Sequence, residues 1–181
     1  MASSSLPKES DVHQLMQQAL DEGVFPGAVL LAARDSDIFL HRAWGVADLS
    51  SGRPVTVDTV YDLASLTKPL ATTLAVMRLI QTGRLTLETP LGPVLPVMAD
   101  TAKAGVTLRQ LLSHCSGWPA WQPYFEQLRE HPEEDRRRRL AQMLAAEPLI
   151  AVPGTAALYS DLDYMTLGLV VEHISGERLD R

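Results

Sequence analysis

Ser65 and Lys68 are the two residues of this 181-residue chain whose types and spacing best suit covalent chemistry. Residues three apart share one face of a helix, so the serine hydroxyl and the lysine amine could approach hydrogen-bonding distance. A serine hydroxyl is almost fully protonated at neutral pH and becomes a strong nucleophile only beside a base. The pair therefore indicates acyl transfer through Ser65, and the alternative is an ordinary serine that caps a helix.

Pro69 predicts that a helix begins close to Ser65, because a proline deeper in a helix lacks the N–H donor and clashes with the preceding turn. At the start of a helix the free backbone N–H groups and the positive end of the dipole favour developing negative charge. Residues 70–82 are apolar on all sides and Gly83 is a plausible stop, so we expect a largely buried helix here. Such a helix would give the serine a rigid support.

The segments before Ser65 predict one helix and one β-hairpin. Apolar residues recur at helical spacing over about residues 11–22, with Asp11 as a plausible N-cap. Residues 28–33 form a continuous apolar run, which a short polar turn separates from a second strand at residues 38–44. Because the first run has no polar alternation, we expect this strand to be buried on both faces.

Composition restricts the class of protein. An apolar fraction of 46% is that of a globular chain, and a net charge of −6 argues against nucleic acid as the main partner. No run of 18 apolar residues suits a membrane span. Residues 1–10 carry no apolar signal segment and are predicted to be a mobile tail, which favours a cytoplasmic location. A single cysteine, Cys115, and scattered histidines predict no metal site, and no cofactor motif is present.

Three further motifs follow Ser65-Leu66-Thr67-Lys68 in order: the run Leu-Leu-Ser-His-Cys-Ser-Gly from Leu111 to Gly117, then Pro153-Gly154, then Tyr159-Ser160-Asp161. Together they resemble the serine β-lactamase and penicillin-binding-protein superfamily over about residues 12–181. The resemblance is closest to the class C β-lactamase-like branch, which includes family VIII carboxylesterases and D,D-peptidase-like and D-aminopeptidase-like hydrolases.

The resemblance implies an α+β fold of the β-lactamase/transpeptidase type, in which an antiparallel sheet is flanked by helices and joined to an all-helical subdomain. On this basis residues 11–83 would hold the hairpin and the nucleophile helix, and residues 84–181 a mainly helical subdomain. Ser65 matches the acylated nucleophile, Lys68 the lysine that assists its deprotonation, and Tyr159 the tyrosine of the proton relay. Either Lys68 or Tyr159 could be the first proton acceptor.

Further residues are expected to support this site. Many relatives carry Asn where this chain has Asp161; an ionised Asp only accepts hydrogen bonds, so it could serve as a counter-ion for Lys68 or simply cap the next helix. Efficient β-lactam hydrolysis is therefore less expected than esterase activity. Trp118, Trp121 and Tyr124 could line the substrate pocket or pack in the core. His114 is expected to order its loop by hydrogen bonds.

The family's third motif, a Lys/His-x-Gly triad on a later strand, has no match in this chain. We therefore expect an incomplete hydrolase that needs a complementing C-terminal segment or self-association, with poor turnover of p-nitrophenyl esters by the isolated chain. The expected substrate is a small ester or amide. The alternatives are a D-aminopeptidase or D,D-peptidase-like amidase and, in a different class, an inactive scaffold or self-assembling protein.

Overall fold

The computed structural model describes residues 8–180, which divide into two compact units, one ending at Asp62 and one starting at Leu63. The segment that carries Ser65 lies in the unit that starts at Leu63, where it packs against the helix α7 (Asp161–Ser175). The division after residue 83 expected from the family resemblance stays a prediction. Of the predicted N-terminal tail, residues 1–7 lie outside the described residues.

In the first unit, helix α1 (Glu9–Asp21) begins two residues before the predicted start. The prediction that Asp11 is the N-cap is wrong, since Lys8 holds that position without a side-chain cap. Glu9 and Asp11 instead lie in the first turn, where acidic groups interact favourably with the helix dipole. The indole N–H of Trp44 donates to His13 Nδ1 at 2.9 Å and ties the helix to the sheet.

The predicted hairpin is present as strands β1 (Gly27–Arg34) and β2 (Asp37–Asp48), which pair antiparallel, and β2 also pairs with the short β3 (Arg53–Pro54). Gly27 lies opposite Gly45 in this register. A Cβ at Gly27 would lie 2.4 Å from the carbonyl oxygen of Val46, so the close approach of the two strands requires glycine there.

The expectation that the first strand is buried on both faces is wrong for this structure. No residue of β1 is fully buried, and Leu31 is 50% exposed. The reason is topological: among residues 8–180 β1 is an edge strand with β2 as its one neighbour.

The second unit is built from α2 (Leu74–Gln81), α3 (Leu91–Val94), α4 (Leu108–Leu112), α5 (Tyr124–Arg129), α6 (Glu133–Ala146) and α7. A short 3-10 turn, Pro96–Met98, follows α3. Helix α7 is central, and its side chains Leu162, Leu167 and Val170 are fully buried in one core with Leu108 and Leu111. No helix within residues 8–180 has both the length and the apolar character needed to cross a bilayer.

The predicted helix end at Gly83 is confirmed, and two further helix ends in this unit have local caps. Gly83 has φ +73°, and the N–H groups of Gly83 and Arg84 bond back to Ile80 and Leu79, which is a Schellman motif. Thr107 caps α4 in a reciprocal capping box with Gln110. Gly176, at φ +80°, ends α7.

The helix that follows Ser65 is not largely buried as predicted. Val76 and Leu79 face the core, but a line of four apolar side chains on the opposite face is 52–57% exposed: Leu66, Leu70, Leu74 and Met77. We call these four residues the exposed stripe. An all-apolar sequence does not reveal which face of a helix meets the core, because every face satisfies the pattern equally.

Candidate active site

Ser65 lies in a 3-10 turn, Ala64–Leu66, immediately before a wide π-helical turn, Lys68–Thr73, that continues into α2. Pro69 explains the irregular start, because it cannot donate to the carbonyl of Ser65 four residues earlier. Ala64 has φ +45°, a conformation that residues other than glycine rarely adopt. Ser65 thus stands on a constrained turn at the entrance of the helical segment, as the sequence predicted.

Two segments of the second unit that are far apart in the sequence meet at this turn. Lys68 Nζ lies 3.3 Å from Ser65 Oγ and 2.7 Å from Asp161 Oδ1, the first residue of α7. The same ammonium lies 5.1 Å from the centre of the Tyr159 ring. Hydrogen bonds with Ser65 and then Lys68 lower the pKa of the Tyr159 hydroxyl. The structure therefore places Ser65, Lys68, Tyr159 and Asp161 together.

Lys68 is held as a cation. Burial alone would lower its pKa, but the hydrogen bonds with Asp161 and Tyr159 outweigh burial and raise the pKa above that of an ordinary lysine. The side chains of Lys68 and Asp161 are 15% and 34% exposed, so their ion pair is partly shielded from solvent. An ammonium with a raised pKa is a poor proton acceptor at neutral pH.

The charge states favour Tyr159 as the group that accepts a proton from Ser65. The ammonium of Lys68 stabilises a phenolate on Tyr159, whereas the carboxylate of Asp161 opposes it and raises the pKa of the phenol. The lowering effects prevail, so the phenolate of Tyr159 forms more readily here than that of an isolated tyrosine. This arrangement can move one proton from Ser65 to Tyr159 while Lys68 balances the charge.

An open cleft of about 410 Å³ lies over these groups. It is lined by Ser65, Lys68 and Asp161 together with Thr72, Tyr164 and Met165. Tyr164 was not among the predicted site residues. Its hydroxyl shares a 3.1 Å hydrogen bond with Thr73 Oγ1, and its ring centre lies 5.8 Å from Lys68 Nζ. Its position three residues after Asp161, on the same face of a helix, was the available signal.

Two of the three aromatic residues proposed for the pocket belong to the core. Trp118 is 1% exposed and Tyr124 is 5% exposed, and both lie in the main hydrophobic cluster. The Tyr124 hydroxyl donates to Glu147 Oε2 at 2.7 Å, which satisfies it inside the unit. Trp121 differs, because it is 53% exposed and packs against Phe125 at a ring distance of 6.4 Å. Core packing therefore holds for Trp118 and Tyr124.

The β-lactamase family profile matches residues 12–181, and the chain belongs to the β-lactamase family. This confirms the resemblance seen in the sequence motifs. The predicted fold class is confirmed as well, because solved structures of β-lactamase-like and penicillin-binding-protein-like proteins superpose on nearly the whole chain.

Two relatives and one solved structure illustrate the similarity. Esterase EstB of Burkholderia gladioli is 37% identical over 182 residues, covering 91% of this chain and 45% of that protein. A protein of Escherichia coli strain K12 named "Putative D-alanyl-D-alanine carboxypeptidase" is 34% identical over 195 residues, covering 99% of this chain and 44% of that protein. EstCE1, described as a hydrolase with promiscuous acyltransferase activity, superposes with a TM-score of 0.74 at 32% identity, over 94% of this chain and 48% of that one. The chain therefore spans less than half the length of these proteins.

Proposed function

We propose that this chain carries the nucleophile of a serine hydrolase, which forms an acyl-enzyme on Ser65 and acts on small carboxylic esters or amides. The observation that carries the proposal is the 3.3 Å contact between Ser65 Oγ and Lys68 Nζ, with a Tyr159 whose pKa is lowered by the same two residues. A hydroxyl beside a cation and an acidified phenol has the proton acceptor that nucleophilic attack requires.

In the proposed reaction, Tyr159 takes the Ser65 proton as Oγ attacks the carbonyl carbon, and the same proton then passes to the leaving alcohol or amine. Water hydrolyses the acyl-enzyme by the reverse sequence. The backbone N–H of Ser65 would stabilise the oxyanion of the tetrahedral intermediate. None of these steps requires a cofactor. Within residues 8–180 no group of three His, Cys, Asp or Glu side chains is placed to hold a metal ion.

Ester hydrolysis is favoured over β-lactam hydrolysis, because an ionised Asp161 only accepts hydrogen bonds, whereas the Asn that many relatives carry at this position can also donate one. The names of relatives support both ester and D-alanyl-peptide substrates. Comparison of p-nitrophenyl esters with D-alanyl-D-alanine peptides and D-aminoacyl amides separates the esterase from the amidase alternative. An inactive scaffold would hydrolyse neither class.

The direct test is covalent labelling of Ser65 by a fluorophosphonate, followed by intact-protein and peptide mass spectrometry. We expect one adduct, on Ser65, and none on the Ser65→Ala variant. The matched control is Ser113→Ala, which removes a hydroxyl that donates to the carbonyl of Arg109 and takes no part in the cleft. Labelling at other serines with equal rate, or no labelling, would reject an activated Ser65.

The pH dependence of labelling should move when Asp161 is replaced. Since Tyr159 must be deprotonated to accept a proton, the labelling rate should rise with pH through the pKa of Tyr159. The Asp161 carboxylate raises that pKa, so Asp161→Asn should shift the midpoint to lower pH. Stopped samples across a pH series measure the midpoint, with Asp135→Asn on α6 as the control for loss of one carboxylate. A midpoint that stays in place or rises would contradict the assignment.

We also infer that the exposed stripe is covered by self-association of the chain. Four large apolar side chains in line along one helical segment are costly to leave in water, and a second copy offers the same apolar face. Multi-angle light scattering should show dimers or larger species, and Leu70→Glu combined with Leu74→Lys should yield monomers. The control is Leu49→Glu, at a 77% exposed position outside the stripe. A monomeric wild-type chain would refute self-association.

A further inference from the structure

His114 contacts the Tyr159 ring and the backbone of the residues before and after it. Its backbone carbonyl accepts the N–H of Leu158 at 2.9 Å, and its ring nitrogen Nδ1 accepts the N–H of Ser160 at 3.1 Å. Its ring centre also lies 4.6 Å from that of Tyr159, with the ring planes tilted by 41°. One residue thus holds the backbone on both sides of the tyrosine and packs against the phenol ring itself.

His114 makes these contacts with its backbone in an unusual conformation. Its φ is +57°, in the left-handed region that residues other than glycine and asparagine rarely adopt. The same loop continues the support, because Pro119 accepts from Ser160 Oγ at 2.7 Å and Ala120 accepts from the N–H of Asp161 at 2.8 Å. The segment 158–161 is therefore held along its length by the loop that begins at His114.

The atoms around His114 Nδ1 also determine its protonation. The N–H of Ser160 points at Nδ1, so that nitrogen must present its lone pair. Asp163 Oδ2 lies 3.2 Å from the same nitrogen, and a carboxylate facing a lone pair would be repelled. A protonated Asp163 removes this repulsion, and its O–H can share the single Nδ1 lone pair of His114 with the N–H of Ser160. Asp163 is fully buried, and burial raises its pKa to about 7, with a hydrogen bond to Ser116 opposing the rise.

The other titratable side chains around His114 agree with a neutral imidazole. They are Lys68 on the nucleophile segment, Tyr159, and Asp161 and Tyr164 on α7. Burial, followed by the nearby ammonium of Lys68, lowers the pKa of His114, and Asp161 opposes this only in part. Both shifts favour the neutral forms of His114 and Asp163, so this pair tends to add no net charge beside Lys68.

We propose that His114 is a positioning residue for Tyr159, which it holds at Ser65 and Lys68 through two backbone hydrogen bonds and a ring contact, with the buried Asp163 as the donor that orients the imidazole. This inference rests on the proposed function, because it assigns His114 a part in the proton transfer from Ser65. It does not make His114 a catalytic residue, since the described contacts of its ring are with Tyr159, Tyr164, Ser160 and Asp163 and not with the Ser65 oxygen.

The test measures Tyr159 directly and Ser65 separately. Ultraviolet titration of the phenol, taken as the difference from Tyr159→Phe, reports the pKa of Tyr159, and fluorophosphonate labelling reports the acylation rate of Ser65. We expect His114→Ala to raise the Tyr159 pKa toward that of free tyrosine and to slow labelling by about 100-fold, the effect of a misplacement near 1 Å. A residue that merely stabilised the fold would change the melting temperature and leave both readouts of the folded protein unchanged.

Conservative variants sharpen the result. His114→Asn keeps an acceptor near Nδ1 and tolerates the left-handed backbone, so it should recover roughly tenfold of the lost rate, while loss of the ring contact still raises the Tyr159 pKa. Asp163→Asn retains a donor toward Nδ1 and should label like the wild type, whereas Asp163→Ala should resemble His114→Ala. These variants decide the matter if His114→Ala does not fold.

A folded His114→Ala or His114→Asn protein with an unchanged Tyr159 pKa and labelling rate would overturn the role of His114. If Ser65 of the wild type is never labelled, the proposed function fails instead. In that case the titration alone still decides whether His114 positions Tyr159, because it requires no reaction at Ser65.

Discussion

Replacement of Lys68 by methionine is expected to slow fluorophosphonate labelling of Ser65 by about 10³-fold, within the range that proton-transfer groups contribute. The methionine keeps the length of the side chain but removes the ammonium that lies 3.3 Å from Ser65 Oγ and 2.7 Å from Asp161 Oδ1. Without that cation the pKa of Tyr159 rises toward its ordinary value, because only the hydrogen bond with Ser65 still lowers it, while the Asp161 carboxylate continues to raise it. Labelling time courses measure the rate, and ultraviolet titration measures the phenol.

The control for Lys68→Met is Lys8→Met, which removes the same charge from an exposed position. Tyr159→Phe should have a similar effect, and the double variant should be little worse than either single one, because residues that act as a unit are not additive. If Lys68→Met labels within about threefold of the wild type, the proton-transfer assignment is wrong. If the two losses multiply, Lys68 and Tyr159 act independently.

Replacement of Trp118 by alanine is expected to lower the free energy of unfolding by about 3–5 kcal/mol, the cost of removing a large aromatic side chain from a close-packed interior. Trp118 is 1% exposed and packs in the main cluster of the helical unit. Urea unfolding followed by far-ultraviolet circular dichroism, at one fixed protein concentration, measures the change.

Two variants serve as controls for Trp118→Ala. Trp121→Ala, at an exposed position, should change the free energy by less than about 1 kcal/mol. Trp118→Phe should cost much less than Trp118→Ala, because it keeps most of the apolar volume and removes an indole N–H that has no hydrogen-bond partner among the described residues. If Trp118→Ala lowers the free energy of unfolding as little as Trp121→Ala, Trp118 is not a core residue. The alternative that it lines the substrate pocket would then stand.

Features that depend on neighbours within one helical turn were predictable from the sequence. The contact between Ser65 and Lys68 follows from their spacing, the Schellman end at Gly83 from glycine's access to positive φ, and the capping box from Thr107 and Gln110. The hairpin between β1 and β2 also followed from two apolar runs separated by a short polar turn. In each case the atoms that decide the structure lie close together along the chain.

Features that depend on what packs against an element were not predictable. The apolar residues of β1 and of the segment after Ser65 are compatible with burial on any face. More of these side chains were therefore predicted to be buried than the structure buries. The same holds for the aromatic loop, where Trp118 and Trp121 differ in exposure although they are only three residues apart. The part of His114 was seen only as ordering of its own loop, because its partners Ser160 and Asp163 lie 46 and 49 residues away.

The sequence by itself determined which functional groups are available for the proposed acyl transfer, the order in which they occur, and the turn that carries the serine, because residue type and spacing up to four positions set these properties. Only the tertiary structure decided that Lys68 is a partly shielded cation, that the pKa of Tyr159 is lowered, and that burial raises the pKa of Asp163 to about 7. These states depend on burial and on charges brought close by folding, such as Lys68 and Asp161, which are 93 residues apart in the chain and 2.7 Å apart in space.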